Sequence, residues 1–271
     1  MFQDNKCPPL WSHGPDVQSL HDFPNRPKTD GPRKVTQSPV TTGSSVLAMK
    51  YDGGVILAAD TLGSYGSLAR FTEISRVMKV NETTVLAAGG DYADFQFLSD
   101  IIKQKQIDEE CCDDGLVLKP KALHCWLTRV LYNRRSKFDP LWNVIAVAGM
   151  QDGEPFLGFV NLQGTAFTED VVATGMGVDL CLPVMRRALE KKGGKLTYEE
   201  AKATMQQCIR LCYLRDCRSW PKYQLAKVDG KLKVSPARMY NNCSIGEGCT
   251  VEGPLFIDSD WNYAKGVKGY E

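Results

Sequence analysis

The stretch from Gly43 to Asp60, Gly-Ser-Ser-Val-Leu-Ala-Met-Lys-Tyr-Asp-Gly-Gly-Val-Ile-Leu-Ala-Ala-Asp, constrains the fold more than any other part of the chain. Two apolar runs, 45–51 and 54–59, meet at Asp52-Gly53. Asp-Gly between β-prone runs predicts a tight hairpin, closed by a type I′ turn with positive φ at both central residues. The second run, Val55-Ile56-Leu57-Ala58-Ala59, has no polar alternation. A strand of that kind is covered on both faces rather than wetted on one. It ends in a carboxylate, Asp60. The hairpin is therefore expected at the centre of a sandwiched sheet, with an acid at its rim.

The rest of the chain supplies layers for such a sandwich. Further strands are expected near 74–80, 83–88, 142–149 and 155–161. Between them, Phe95, Leu98 and Ile102 mark the apolar stripe of one helix, and Leu123, Leu127, Val130 and Leu131 that of a second. The second helix also carries Arg129, Arg134, Arg135 and Lys137, which reads as a solvated or subunit-contacting face. A later strand ends at Thr174-Gly-Met-Gly177, which opens another helix. The last long helix begins with Thr197-Tyr-Glu-Glu200, a capping box, and continues with Ala201, Met205, Cys208 and Cys212 on its buried face. A second hairpin is expected at Asp229-Gly230. Strands, two helices, strands, two helices, strands is the order of an α+β four-layer αββα sandwich.

At 271 residues and 43% hydrophobic, the chain suits one large domain or two small ones. Its 33 basic and 32 acidic side chains give no steering toward nucleic acid or an anionic membrane. No apolar run approaches the roughly 18–20 residues of a membrane span. Residues 1–35 are rich in proline and are expected to be a removable leader without the apolar core of a secretory signal. Residues 36–236 form the expected domain, and 237–271 an irregular, aromatic extension that docks elsewhere. Ten cysteines with no disulfide-like spacing suggest reduced, mostly buried thiols. With no C-x-x-C pair and only His13, His21 and His124 as imidazoles, no metal or cofactor is expected. The turn-rich loop Gly63–Arg70 lacks a phosphate-binding ending, and Gly175-x-Gly177 is an incomplete dinucleotide fingerprint whose third glycine would fall at Leu180.

The Gly43–Asp60 hairpin, Gly89-Gly90-Asp91 and Tyr213-Leu-Arg-Asp-Cys-Arg-Ser219 together resemble the β-type subunits of the 20S proteasome, over about residues 36–271. The closer likeness is to the family's non-catalytic beta-7 branch. It is carried by Thr36-Gln-Ser-Pro39, Leu62–Arg70, Trp126–Arg129, Arg134–Lys137 with Pro140–Asn143, and Glu252–Leu255. The resemblance implies an N-terminal-nucleophile hydrolase fold. It also implies partners: β subunits of the same and the opposite ring, α-ring subunits and assembly chaperones, in cytoplasm and nucleus.

Active members of that family cut peptides with a threonine that becomes the first residue of the mature chain, its freed α-amine serving as base. The amine titrates near 7.7–8.0, whereas a peptide nitrogen has no useful basicity. By resemblance the nucleophile position falls on Ser44, the aspartate on Asp60, the oxyanion glycine on Gly90, and the supporting pair on Asp216 and Ser219. The lysine position holds Arg76, and a serine normally close to the nucleophile aligns with Gly175. Arginine stays protonated, with a pKa above about 12, and cannot join a proton relay as lysine does. The resemblance therefore implies a degenerate site with no catalytic residue, and a leader cut near Val35 and Thr36. The competing readings are an N-terminal serine peptidase that uses Ser44 after cleavage at Gly43, and a nucleotide-binding α/β domain.

Overall fold

The structure, a computed structural model, describes residues 38–112, 114–115, 117–229, 232–235 and 238–239. The expected leader and nearly all of the expected extension lie outside the described residues. The described chain opens with seven strands: β1 (Thr41–Gly43), β2 (Val46–Tyr51), β3 (Gly54–Asp60), β4 (Gly63–Tyr65), β5 (Leu68–Phe71), β6 (Val77–Lys79) and β7 (Thr84–Asp91). Helices α1 (Tyr92–Cys112) and α2 (Pro120–Ser136) follow, then β8 (Asn143–Gln151), β9 (Glu154–Val160), β10 (Ala166–Thr168) and β11 (Val171–Ala173). A single turn, α3 (Gly177–Leu180), precedes α4 (Leu182–Lys191) and α5 (Tyr198–Arg215). The described chain closes with β12 (Lys222–Val228), β13 (Leu232–Val234) and β14 (Arg238–Met239).

Two antiparallel sheets result. The larger runs β10-β9-β8-β7-β1-β4-β5, with β6 paired to β7; the smaller runs β11-β2-β3-β12-β13, with β14 paired to β12. Three apolar clusters define the layers. Val46, Ala48, Val55 and Leu57 face Val85, Ala87, Ala146 and Ala148 between the sheets. Leu47, Met49, Ile56 and Ala58 point the other way, onto Met185, Met205, Cys208 and Ile209 of α4 and α5. On the far side, Leu86, Ala88, Ile145 and Val147 pack under Leu98, Ile102, Leu123 and Leu127 of α1 and α2. The run Val55–Ala59 is apolar throughout because successive side chains enter two different cores, and every residue of β3 is buried. This is the expected αββα order.

Some details depart from expectation. The hairpin at Asp52-Gly53 forms, with Tyr51 opposite Gly54, but its turn is not type I′. Gly53 has φ +85°, whereas among the described residues the non-glycines at positive φ are Phe138 and Asp152, not Asp52. Asp52 donates its N–H to Leu196 O at 2.8 Å, which ties the turn to the chain just before α5. The type I′ pair is Asp152-Gly153, φ +53° and +86°, which joins β8 to β9. The Gly63–Arg70 loop is largely the β4–β5 hairpin. The second expected hairpin pairs β12 with β13, although Gly230 in its turn is outside the described residues. The stretch expected to be irregular begins with β14, which pairs Met239 to Lys222. Of the seven described cysteines, all reduced, Cys181, Cys208 and Cys212 are buried while Cys111, Cys112, Cys125 and Cys217 are exposed. The described thiols are therefore not mostly buried.

Candidate active site

Ser44 lies in the two-residue link between β1 and β2, where the chain leaves the larger sheet and enters the smaller. It is not a strand residue but the crossing between two strands. Asp60 ends β3 in the adjacent position of the smaller sheet, and Arg76 immediately precedes β6. The Arg76 carbonyl accepts the Ala88 N–H at 3.1 Å, which ties its backbone to β7 and aims its side chain between the sheets. The three side chains meet there. Ser44 Oγ donates to Asp60 Oδ2 at 2.7 Å, and Arg76 Nη2 donates to Ser44 Oγ at 3.2 Å.

Arg76 is 1% exposed and Asp60 6%. The guanidinium makes an ion pair with Asp60 Oδ1 through Nη2. It also donates to Ser44 O at 2.7 Å, Asp60 O at 3.1 Å, Ser45 O at 3.2 Å and Ala88 O at 3.4 Å. A buried charge is tolerated only when its donors are satisfied, and the planar fork of arginine suits a carboxylate and several carbonyls at once. Asp60 Oδ2 receives a further N–H, from Trp220 at 3.0 Å. Arg76 and Asp60 thus stitch the β1–β2 link, β3 and β7 together at the Ser44 crossing. The Asp60 carboxylate that accepts from Ser44 Oγ is thus engaged by Arg76 and by Trp220 as well.

Gly90 is the penultimate residue of β7, the strand opposite: it pairs with Gly43, one residue before Ser44. Its φ of +90° and the position of Trp142 O, 2.0 Å from where a Cβ would stand, restrict this position to glycine. Asn143 Nδ2 clamps the turn by donating to Asp91 O at 2.8 Å and Gly89 O at 3.3 Å. Ser219 lines a small crevice with Ser44, Asp60, Leu47, Ile209 and Cys212, with room for about one water. Asp216 caps α5, accepts the Ser219 N–H through its carbonyl at 3.1 Å, and accepts the Arg218 N–H at Oδ1 at 2.9 Å. It therefore shapes the loop bearing Ser219 and Trp220 rather than bonding Ser44. Gly175, φ +57°, sits against the next residue: a Cβ there would be 3.3 Å from Ser45 Oγ.

Other participants carry little signal in the sequence. Ser45 Oγ accepts the Gly177 N–H at 2.9 Å, and Thr174 Oγ1 accepts the Val46 N–H at 2.8 Å. These bonds seat the β11–α3 turn against the crossing. They also engage Gly177 internally, so Gly175-x-Gly177 is a packing turn and not a dinucleotide cradle. Among the described residues no three His, Cys, Asp or Glu side chains group as metal ligands, and no helix is long and apolar enough to cross a membrane.

The family model described as proteasome subunit matches residues 40–228, which runs from β1 to β12 and includes the five described helices. The chain belongs to the proteasome subunit family. Its αββα sandwich is the N-terminal-nucleophile hydrolase fold of that family's β subunits. It is 46% identical over 252 residues to proteasome subunit beta type-4 of Xenopus laevis, covering 93% of this chain and 96% of that protein. It is 39% identical to the beta type-4 subunit of Drosophila melanogaster, covering 97% and 96%. It is 37% identical to proteasome subunit beta type-7 of Saccharomyces cerevisiae, covering 87% and 86%.

Within this proteasome-family fold, the segment upstream of Ser44 has a defined place. β1 lies between β7 and β4, with Gly43 opposite both Gly90 and Gly63. Val40 N extends the contact by donating to Asp91 Oδ1 at 3.3 Å. Residues 41–43 thus link the β4–β5 hairpin to the rest of the larger sheet.

Proposed function

We propose that this chain is a non-catalytic, structural β subunit of the 20S proteasome core, contributing to ring assembly and so to proteasome-dependent protein degradation. The observation that carries this reading is the position of β1. A substrate strand approaching an oxyanion site at Gly90 would need the place beside β7 that Gly43 occupies. An N-terminal amine at Ser44 would require the chain to be cut there, freeing β1 from the strand that follows it. With β1 retained, the nitrogen of Ser44 is a peptide nitrogen, and the cation beside the hydroxyl is an arginine that cannot accept a proton.

The leader is cut near Val35 and Thr36, upstream of β1, and leaves β1 in the mature chain. Ser44, Asp60, Arg76, Gly90, Gly175, Asp216 and Ser219 then serve as framework at the positions where active relatives place their machinery. The partners are other β subunits of both rings and the α ring, in cytoplasm and nucleus. An epoxyketone probe, which condenses with a hydroxyl and a free amine on the same residue, tests this on the purified core particle. No adduct on Ser44 is expected while catalytic subunits of the same particle are labelled. An adduct on Ser44 supports the serine-peptidase reading instead.

A further inference from the structure

Behind the Ser44 crossing lies a pair of thiols that the site does not use. Cys181 is the residue between α3 and α4, and Cys212 lies in the last turn of α5. Their sulfurs are 3.2 Å apart, and both side chains are buried, at 0% and 4% exposure. Cys181 Sγ also donates to Cys208 O at 3.2 Å, which fixes its rotamer toward α5. Cys212 is in addition one of the residues lining the crevice beside Ser44, Asp60 and Ser219. Cys181 is not among the lining residues, so of the two thiols it is Cys212 that borders the crevice, with the Cys181 sulfur 3.2 Å from its own.

We propose that Cys181 and Cys212 form an oxidisable dithiol, closed to a disulfide by a peroxide that enters through the Ser44 crevice. Cys212 sulfur attacks one peroxide oxygen, the O–O bond breaks, and the Cys212 thiol proton leaves with the departing oxygen as water. The resulting sulfenic acid is attacked by Cys181 sulfur; the S–O bond breaks, the S–S bond forms, and the Cys181 proton leaves with the hydroxide as a second water. The peroxide is reduced by two electrons and the thiol pair is oxidised by two. Bond formation needs the sulfurs to move from 3.2 Å to about 2.05 Å, a shift within reach of side-chain rotation. The thiols are held neutral: the mutual hydrogen bond, burial and the Asp216 and Asp60 carboxylates push Cys212 up, and Cys181 is pushed up to about 12. Thiolate is the reactive form, so the pair stays reduced in ordinary conditions and closes slowly under peroxide. Closure staples α5 to the α3–α4 junction, just before the loop whose Trp220 N–H holds Asp60.

The test treats the native core particle with hydrogen peroxide, blocks free thiols with an alkylating agent, and maps the chain by non-reducing peptide mass spectrometry. The expected result is a Cys181–Cys212 linked peptide pair, two hydrogens lighter than its parts and separated by reductant. It should be lost in Cys181→Ala and kept in Cys208→Ser. The linked chain should also melt higher, by roughly 5 °C. Recovery of Cys181 and Cys212 as free thiols after exposed Cys111 and Cys112 have been oxidised would overturn the proposal. So would an unlinked sulfinic acid at Cys212, or a link that runs through Cys208.

Discussion

Gly43 is moulded to Arg76: a Cβ on this glycine would stand 2.6 Å from Arg76 Cδ. The contact is with the middle of a side chain whose far end is fixed by an ion pair and five further hydrogen bonds, so the arginine cannot swing aside. Gly43 also holds β1 against Gly90 on one side and Gly63 on the other. The upstream strand and the buried ion pair are therefore one structural unit.

Gly43→Ala is accordingly expected to destabilise the fold by about 1–3 kcal/mol, the usual cost of overpacking a tight site. Urea unfolding of the purified chain measures it, and an unchanged midpoint would mean that Arg76 has room to move.

The ion pair can be probed from either end. Asp60→Asn keeps acceptors for the Ser44 and Trp220 donors but leaves the Arg76 charge buried without a counter-charge, which should cost about 3–5 kcal/mol. Arg76→Lys retains the charge with fewer donors for the same carbonyls, and a smaller loss of about 1–3 kcal/mol is expected. Neither change is expected to create peptidase activity, because the nitrogen of residue 44 stays in an amide.

Glu200 gives a pH signature far from the site. Its hydrogen bonds with Lys192 and with the Thr197 N–H and hydroxyl pull its carboxyl down to about 2. Because the folded value lies below the ordinary one of about 4.3, the carboxylate stabilises the fold fully above that value. The contribution fades as pH falls toward 2. Thermal unfolding of Glu200→Gln should therefore lose less stability than the parent between pH 5 and 3. Thr197→Ala should cost about 1 kcal/mol at neutral pH by removing the cap.

The sandwich was legible wherever burial dictated residue type. The unbroken Val55–Ala59 run required cover on both faces, and both cores are present. The capping box at Thr197 and Glu200 is formed as the spacing implied. Turn type was not legible, because Asp52-Gly53 and Asp152-Gly153 are the same dipeptide in different tertiary surroundings: Asp52 N bonds Leu196 O, and the Asp152 carboxylate bonds Lys119. The β4–β5 hairpin was missed because β5 is exposed throughout and carries no inside–outside pattern. At the site, resemblance located Ser44, Asp60 and Arg76, but most Arg76 partners are backbone carbonyls, which no residue type announces. The slot filled by β1 is set by pairing with β4 and β7, strands distant in the chain. Three residues reading Thr-Thr-Gly do not predict it.

The extension tests the assembly role separately from the fold. Removing residues beyond Gly253 leaves every described element in place, and the truncated subunit is expected to unfold like the parent. It is expected to impair the joining of half-particles, visible as their accumulation on native gels. Normal joining would argue against a role for the tail in docking to other subunits.

The intact mass of the mature chain, released from the purified core particle, is the most direct test of the whole account. A mass corresponding to a start near Thr36, with β1 retained, is the expected result. A mass corresponding to a start at Ser44, together with hydrolysis of a peptide by that subunit, would contradict it.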